Sequence, residues 1–300
     1  MTGLPAAARR VAVDIAEGTG AACGTFGELL QGVLPDGTAF LVTLPISLGS
    51  RARFRFDPRG PLHVYPAHRT KSLALARAML DAHGGGGGTL LLDSDLLVGK
   101  GLASSSADLV ATARAVGTVL GLDTSPGAVE DWLRPVEPTD GVMHPGVVVF
   151  EHRAVRLRAH LGVLPPVTVV AVDEGGHLDT VAHNRRPRHV PPGQRHEYER
   201  LVDDLARAVR GADLSAVGTV TTRSAVLNQR RLPKRNLDAM ADIAERIGAP
   251  GVVCTHSGTM LGLLLDTTAD GHRERLRAAR TACAKLPGTL SVYRSAAADR

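Results

Sequence analysis

A chain of 300 residues, 44% hydrophobic but only 3% aromatic, can bury a sizeable core built mostly of Leu, Val and Ala. Its formal net charge of +5 favours an anionic ligand. Nucleic acid is a poor fit: the clusters Arg185, Arg186, Arg188 and Arg230, Arg231, Lys234, Arg235 have no stacking aromatics among them. The three cysteines, Cys23, Cys254 and Cys283, match neither a disulfide framework nor a zinc spacing, and the twelve His are scattered without an HExxH. Met1 to Arg10 lacks the apolar stretch of a signal peptide, and no run is long enough to span a membrane, so a cytoplasmic protein without a membrane partner is expected.

The first quarter reads as strands: Val11 to Ala16, Ala21 to Val33, Ala39 to Leu44, Ser50 to Phe56 and Leu62 to Tyr65. Pro35-Asp36-Gly37 predicts a hairpin between the second and third of these. Thr70 to His83 has helical periodicity, and Gly84 to Gly88 read as a flexible connector. Thr89 to Leu92 and Leu96 to Val98 continue as a strand that leads through small residues into a helix from Ser104 to about Leu120. A helix over Pro126 to Leu133 has Ser125 as its natural N-cap and Pro126 at its first position.

Pro135 and Pro138 exclude a helix through Glu137 and Asp140, and Gly146 to Phe150 and Ala154 to His160 read as paired strands. Pro165-Pro166 marks a domain boundary, giving units 1–164 and 165–300. Beyond it lie strands at Val167 to Val172, Val252 to Cys254, Met260 to Leu265 and Thr289 to Tyr293. Helices are predicted at Arg195 to Arg210, Leu214 to Arg230, Leu237 to Ile247 and Gly271 to Leu286. Strands first, then mixed elements, point to an α+β fold.

Chemistry concentrates in three segments. Leu97 to Ala107 is a strand–loop–helix junction whose glycines permit close approach, and Ser104, Ser105 and Ser106 lie where unpaired N–H groups attract an anion. It is neither a Walker A loop, since Ser94 and Gly101 stand where Gly and Ser or Thr are required, nor a dinucleotide fingerprint, since Ser104 replaces the third Gly. Glu137-Pro138-Thr139-Asp140 holds two carboxylates on a stiff turn, and His256-Ser257-Gly258-Thr259 is a tight turn between strands. A hydroxyl, one carboxylate for a metal and another for a proton are what phosphoryl transfer to an alcohol needs. Asp108, in the first turn of its helix, and Asn228 and Gln229, at a helix end, read as structural; Asp173 and His177 follow a strand and carry no assignment.

Taken together, the segments resemble the GHMP kinase superfamily of small-molecule kinases, whose central motif reads Pro-x-Gly-x-Gly-Leu-Gly-Ser-Ser-Ala. This chain keeps Gly99, Gly101, Leu102, Ser104 and Ser105, with Leu97, Ala103 and Ser106 at the departures. Cys23 to Gly32 resembles the first motif and Cys254 to Gly262 the third. Gly27 to Gly32, Gly99-Lys100-Gly101, Glu137 to Asp140 and His256 to Thr259 are similar to the L-threonine kinase branch of cobalamin synthesis.

The resemblance implies a two-domain α+β fold, an N-terminal mixed sheet with helices and a C-terminal α/β sandwich, with the site in the cleft between them. It implies ATP and Mg²⁺ as cofactors and a hydroxy-amino acid, L-threonine foremost, as the small-molecule partner; a homodimer stays open. Ser105 and Glu137 would bind the metal. Gly99, Lys100, Gly101, Leu102, Ala103, Ser104 and Ser106 would surround the phosphates. Asp140 would act as base or hydroxyl orienter, with Glu28, Thr139, Ser257, Gly258 and Thr259 around the substrate. For Lys100 a solvated loop position, and for Glu28 a role pinning its hairpin, remain open alternatives.

Overall fold

The computed structural model describes residues 16–176 and 190–296. The strand expected at Val11 to Ala16 lies almost wholly outside them, as do His177, Arg185, Arg186 and Arg188. In chain order the elements are β1 (Glu17–Val33), β2 (Ala39–Asp57), β3 (Leu62–Tyr65), α1 (Thr70–Asp81), β4 (Gly87–Ser94), α2 (Ser104–Leu120), α3 (Pro126–Leu133), β5 (Val147–Glu151) and β6 (Arg156–Gly162). They continue with β7 (Val167–Asp173), α4 (Pro192–Arg210), α5 (Leu214–Asn228), α6 (Leu237–Ile247), β8 (Gly251–Cys254), β9 (Met260–Asp266), α7 (His272–Cys283) and β10 (Thr289–Arg294).

One mixed sheet runs in the order β10-β7-β9-β8-β1-β2-β4-β3, with β5 pairing β2 and β6 pairing β5. The β1–β2 hairpin turns at Gly37, whose φ of 87° suits glycine, and Asp36 Oδ1 accepts from Thr38 N at 2.8 Å. The predicted boundary at Pro165-Pro166 falls between β6 and β7. β1 joins the strands on its two sides, meeting β8 at Glu28↔Cys254.

Three expectations are corrected. Ala39 to Leu44 and Ser50 to Phe56 are one strand, because β1 follows β2 throughout and absorbs the mismatch as irregularities between Cys23 and Leu30. Leu96 to Val98 is not strand; Leu97 and Val98 are about half exposed in a turn. Gly87 and Gly88 belong to β4, where a Cβ on Gly88 would stand 2.3 Å from the Arg55 carbonyl oxygen.

Helix α2 is a core helix, with twelve of its seventeen residues buried, and lies against β1 and β2. Gly18 and Gly20 of β1 let it come close: a Cβ on either would sit 2.3 Å from an α2 carbonyl oxygen. Strand β7 is buried on both faces, which explains its unbroken apolar run. Val169 and Ala171 join the main core with Phe26, Leu205 and Val217, while Val170 and Val172 join a second core with Met240, Ile243 and Leu263. The loop before α2 meets the irregular middle of β1 through Gly27 and the β8–β9 turn through Gly258.

Candidate active site

Between β4 and α2 the chain makes left-handed turns at Gly99 (φ 75°), Gly101 (φ 80°) and Ala103 (φ 57°). Ala103 is the N-cap of α2, and its methyl accepts no hydrogen bond, so the first-turn N–H groups have no side-chain cap. Such an uncapped, positive end of a buried helix attracts an anion. The loop is strapped to β1: Gly27 N donates to Gly101 O at 3.0 Å and Thr25 N to Leu102 O at 3.3 Å. The Leu102 side chain is buried as an anchor.

The serines at the start of α2 reach the two carboxylates separately. Ser105 Oγ donates to Glu137 Oε1 at 2.5 Å, and Lys71 Nζ, from the first turn of α1, bonds the other oxygen, Oε2, and lies 3.4 Å from Ser105 Oγ. Ser106 Oγ pairs with Asp140 Oδ2 at 3.3 Å and accepts from Asp140 N at 3.1 Å. Ser106, expected among the phosphate ligands, thus positions Asp140. Burial, helped by the nearby Glu28 and Glu137 carboxylates and opposed by the Ser106 hydrogen bond, raises the Asp140 pKa to about 7. A carboxylate poised there suits a general base. Thr139 is buried and its hydroxyl turns back to Glu137 O at 3.2 Å, so its side chain braces the turn.

Glu28, buried in β1, does pin, but across the sheet rather than along its hairpin. Its Oε2 accepts from His256 N at 3.0 Å and from His256 Nδ1 at 2.9 Å. The other ring nitrogen, Nε2, is 2.8 Å from Ser224 Oγ. Burial alone lowers the His256 pKa; Cys254 and Glu28 beside the ring overturn this and raise it to about 9. Arg231 lies in the electrostatic reach of Glu28; burial pushes its guanidinium down and Glu28 draws it up.

The β8–β9 turn closes on the anion loop. Gly258 packs so tightly that a Cβ there would lie 2.0 Å from Lys100 O and 2.6 Å from Gly101 N. Thr259 Oγ1 donates to Asp173 Oδ1 at 2.5 Å, while Lys100 Nζ bonds Asp173 Oδ2 at 2.7 Å and Gly176 O at 2.9 Å. Burial raises the Asp173 pKa, but the bonds from Lys100, Thr259 and Gly175 N outweigh it and hold the carboxyl below its usual range. Lys100 thus ties the loop to β7 through Asp173. Ser257 lies half-buried in this turn. Lys234 is buried and bonds Gly258 O.

Asp108 is structural as expected: buried, bonded by the Ser50 hydroxyl and paired with Arg69 Nη1 at 2.9 Å. Gln229 braces the α5–α6 connection, accepting from Lys234 N at 2.6 Å and donating to Lys234 O at 2.9 Å. Asn228 is buried with its Nδ2 unpartnered. Lys71 was not anticipated, and no local pattern marks it; Lys234 was marked only as a member of a basic cluster.

Among the described residues no group of three or more His, Cys, Asp and Glu could hold a metal unaided. Ser105 and Glu137 nonetheless fit a Mg²⁺ that takes its remaining ligands from phosphates and water, being hard oxygen donors 2.5 Å apart. The Lys71 ammonium against both supports this, since it marks a position where positive charge is stabilised.

Among the described residues, no helix is long and apolar enough to cross a membrane. Residues 70–146 match the GHMP kinases N-terminal domain family. The chain is 28% identical over 251 residues to an L-threonine kinase of Citrobacter freundii, covering 80% of this chain and 83% of that one. It is 27% identical over 252 residues to an L-threonine kinase of Salmonella typhimurium strain LT2, covering 80% of each. In fold it is similar to the homoserine kinase of Cytophaga hutchinsonii, with a TM-score of 0.69 at 16% identity over 98% of this chain and 97% of that one. The anion loop, the Ser105–Glu137 pair and Asp140, gathered at the start of α2, all lie within the segment that is similar to the GHMP kinases N-terminal domain.

Proposed function

We propose that the protein is an ATP- and Mg²⁺-dependent kinase that phosphorylates the side-chain hydroxyl of L-threonine, giving O-phospho-L-threonine for cobalamin assembly in the cytoplasm. The observation that carries this reading is that Ser105 and Ser106 each address one carboxylate, Glu137 and Asp140, at the uncapped start of α2. Ser105 and Glu137 would hold the metal, which neutralises charge on the transferring phosphoryl group. The uncapped N–H groups of Ser104 to Ser106 bind phosphate oxygens. Asp140 takes the proton as the acceptor oxygen bonds to the γ-phosphorus and the bond to ADP breaks. Glu28 and Arg231, within electrostatic reach of each other and of opposite charge, suit the ammonium and carboxylate of a free amino acid. The likeness to two L-threonine kinases supports threonine over other alcohols.

A single methyl discriminates by only about 1–3 kcal/mol, so the test is a panel of L-threonine, L-serine, L-homoserine and simple alcohols. The expected outcome is the highest kcat/KM for L-threonine, with phosphothreonine identified by ³¹P NMR. A higher value for any other acceptor overturns the threonine assignment. ATP binding without turnover on any acceptor would favour a nucleotide-binding sensor.

A further inference from the structure

Lys71 meets both members of the Ser105–Glu137 pair, although it comes from a different helix. Its Nζ bonds Glu137 Oε2 and stands 3.4 Å from Ser105 Oγ, while Ser105 Oγ bonds Glu137 Oε1. The three groups form a closed triangle in which the ammonium is the only cation. Helix α1 is fixed in place for this, because Arg69, at its N-cap, pairs with Asp108 on α2 at 2.9 Å. The Lys71 side chain is 43% exposed whereas Glu137 is 10% exposed, so the lysine reaches a sheltered carboxylate from the solvent side and has room to withdraw.

We propose that Lys71 is an exchangeable counter-cation: it holds Glu137 and Ser105 in ligating geometry when the metal position is empty, yields that position to Mg²⁺, and then contacts the terminal phosphate of the bound nucleotide. The proposal rests on the kinase reading of this site. A divalent ion held by Ser105 Oγ and Glu137 would repel an ammonium that stands 3.4 Å from the same Oγ, which favours a withdrawn Lys71 side chain. The flexible four-carbon stem lets Nζ move several ångströms with its backbone fixed. Displaced toward the α2 N-terminus, it meets the oxygens on which charge develops during transfer.

This predicts effects of opposite sign from one substitution. In nucleotide-free protein, Mn²⁺ binding followed by electron paramagnetic resonance should be about tenfold tighter in Lys71→Met, because the resident competitor is gone. In the same variant kcat with MgATP should fall about 10²-fold, because a phosphate contact is lost. Lys71→Arg, which keeps the charge, should restore Mn²⁺ affinity to near the wild-type value and recover part of kcat. Lys71→Gln repeats the charge removal in a more polar side chain should the Met variant fold poorly. Mn²⁺ binding that is unchanged or weaker without Lys71, or an unchanged kcat, overturns the proposal. Wild-type protein whose Mn²⁺ binding in the presence of ATP is absent or insensitive to Glu137→Gln overturns the kinase-site reading itself, so the two failures are distinguishable.

Discussion

Asp140 lets the cost of a poised base be measured apart from turnover. Burial among the Glu28 and Glu137 carboxylates raises its pKa from 3.8 to about 7. A carboxyl with a raised folded pKa contributes most stability below its unfolded pKa, and that contribution is lost as pH rises from about 4 through about 7. At 1.36 kcal/mol per unit, the full difference is about 4 kcal/mol, of which about 3 kcal/mol falls between pH 5 and pH 8. Asp140→Asn removes the ionisation while keeping a group that can bond Ser106. Urea denaturation from pH 5 to pH 8 should show the variant gaining on the wild type by about 3 kcal/mol as pH rises. Its phosphoryl transfer should fall by two to four orders of magnitude, the usual contribution of a general base. A stability difference that stays flat with pH would refute the reasoning, because it would mean that Asp140 ionises in the folded state as readily as in the unfolded one.

Two further substitutions test the loop. Gly258→Ala places a Cβ 2.0 Å from Lys100 O, and backbone must shift to make room, so ATP affinity measured by calorimetry should fall at least tenfold with about 1–3 kcal/mol of destabilisation. Unchanged ATP affinity would mean that the β8–β9 turn does not set the loop. Ala103→Gly relieves a left-handed alanine (φ 57°) and should stabilise the protein by about 1 kcal/mol, read as a rise in Tm; a lower Tm would contradict the strain assigned to Ala103.

Most of the fold was legible because its signals are local. The start of α2 at Ser104, the hairpin at Pro35-Asp36-Gly37 and the buried run of β7 follow from small residues, turn chemistry and unbroken apolarity. Errors came where a long-range partner outvotes local pattern. The stretch between Leu44 and Ser50 looks like a break yet stays in β2, because β1 bends with it. Leu97 and Val98 look like strand yet have no neighbouring strand to pair with. In the site, the anion loop and Glu137 to Asp140 are contiguous motifs and could be read directly. Lys71, Asp173 as the partner of Lys100, and His256 as the partner of Glu28 could not, since each pairing joins segments distant in sequence. Adjacent helix-start serines look alike in sequence, and only the directions of their side chains separate the one facing Glu137 from the one facing Asp140.

The most direct test of the central claim is ³¹P NMR of the wild-type protein with ATP, Mg²⁺ and L-threonine, beside Glu137→Gln and Asp140→Asn. The account predicts O-phospho-L-threonine and ADP in equal amounts from the wild type, with formation lost or reduced by orders of magnitude in both variants. Phosphothreonine formed at the wild-type rate by either variant, or none formed by the wild type, would contradict it.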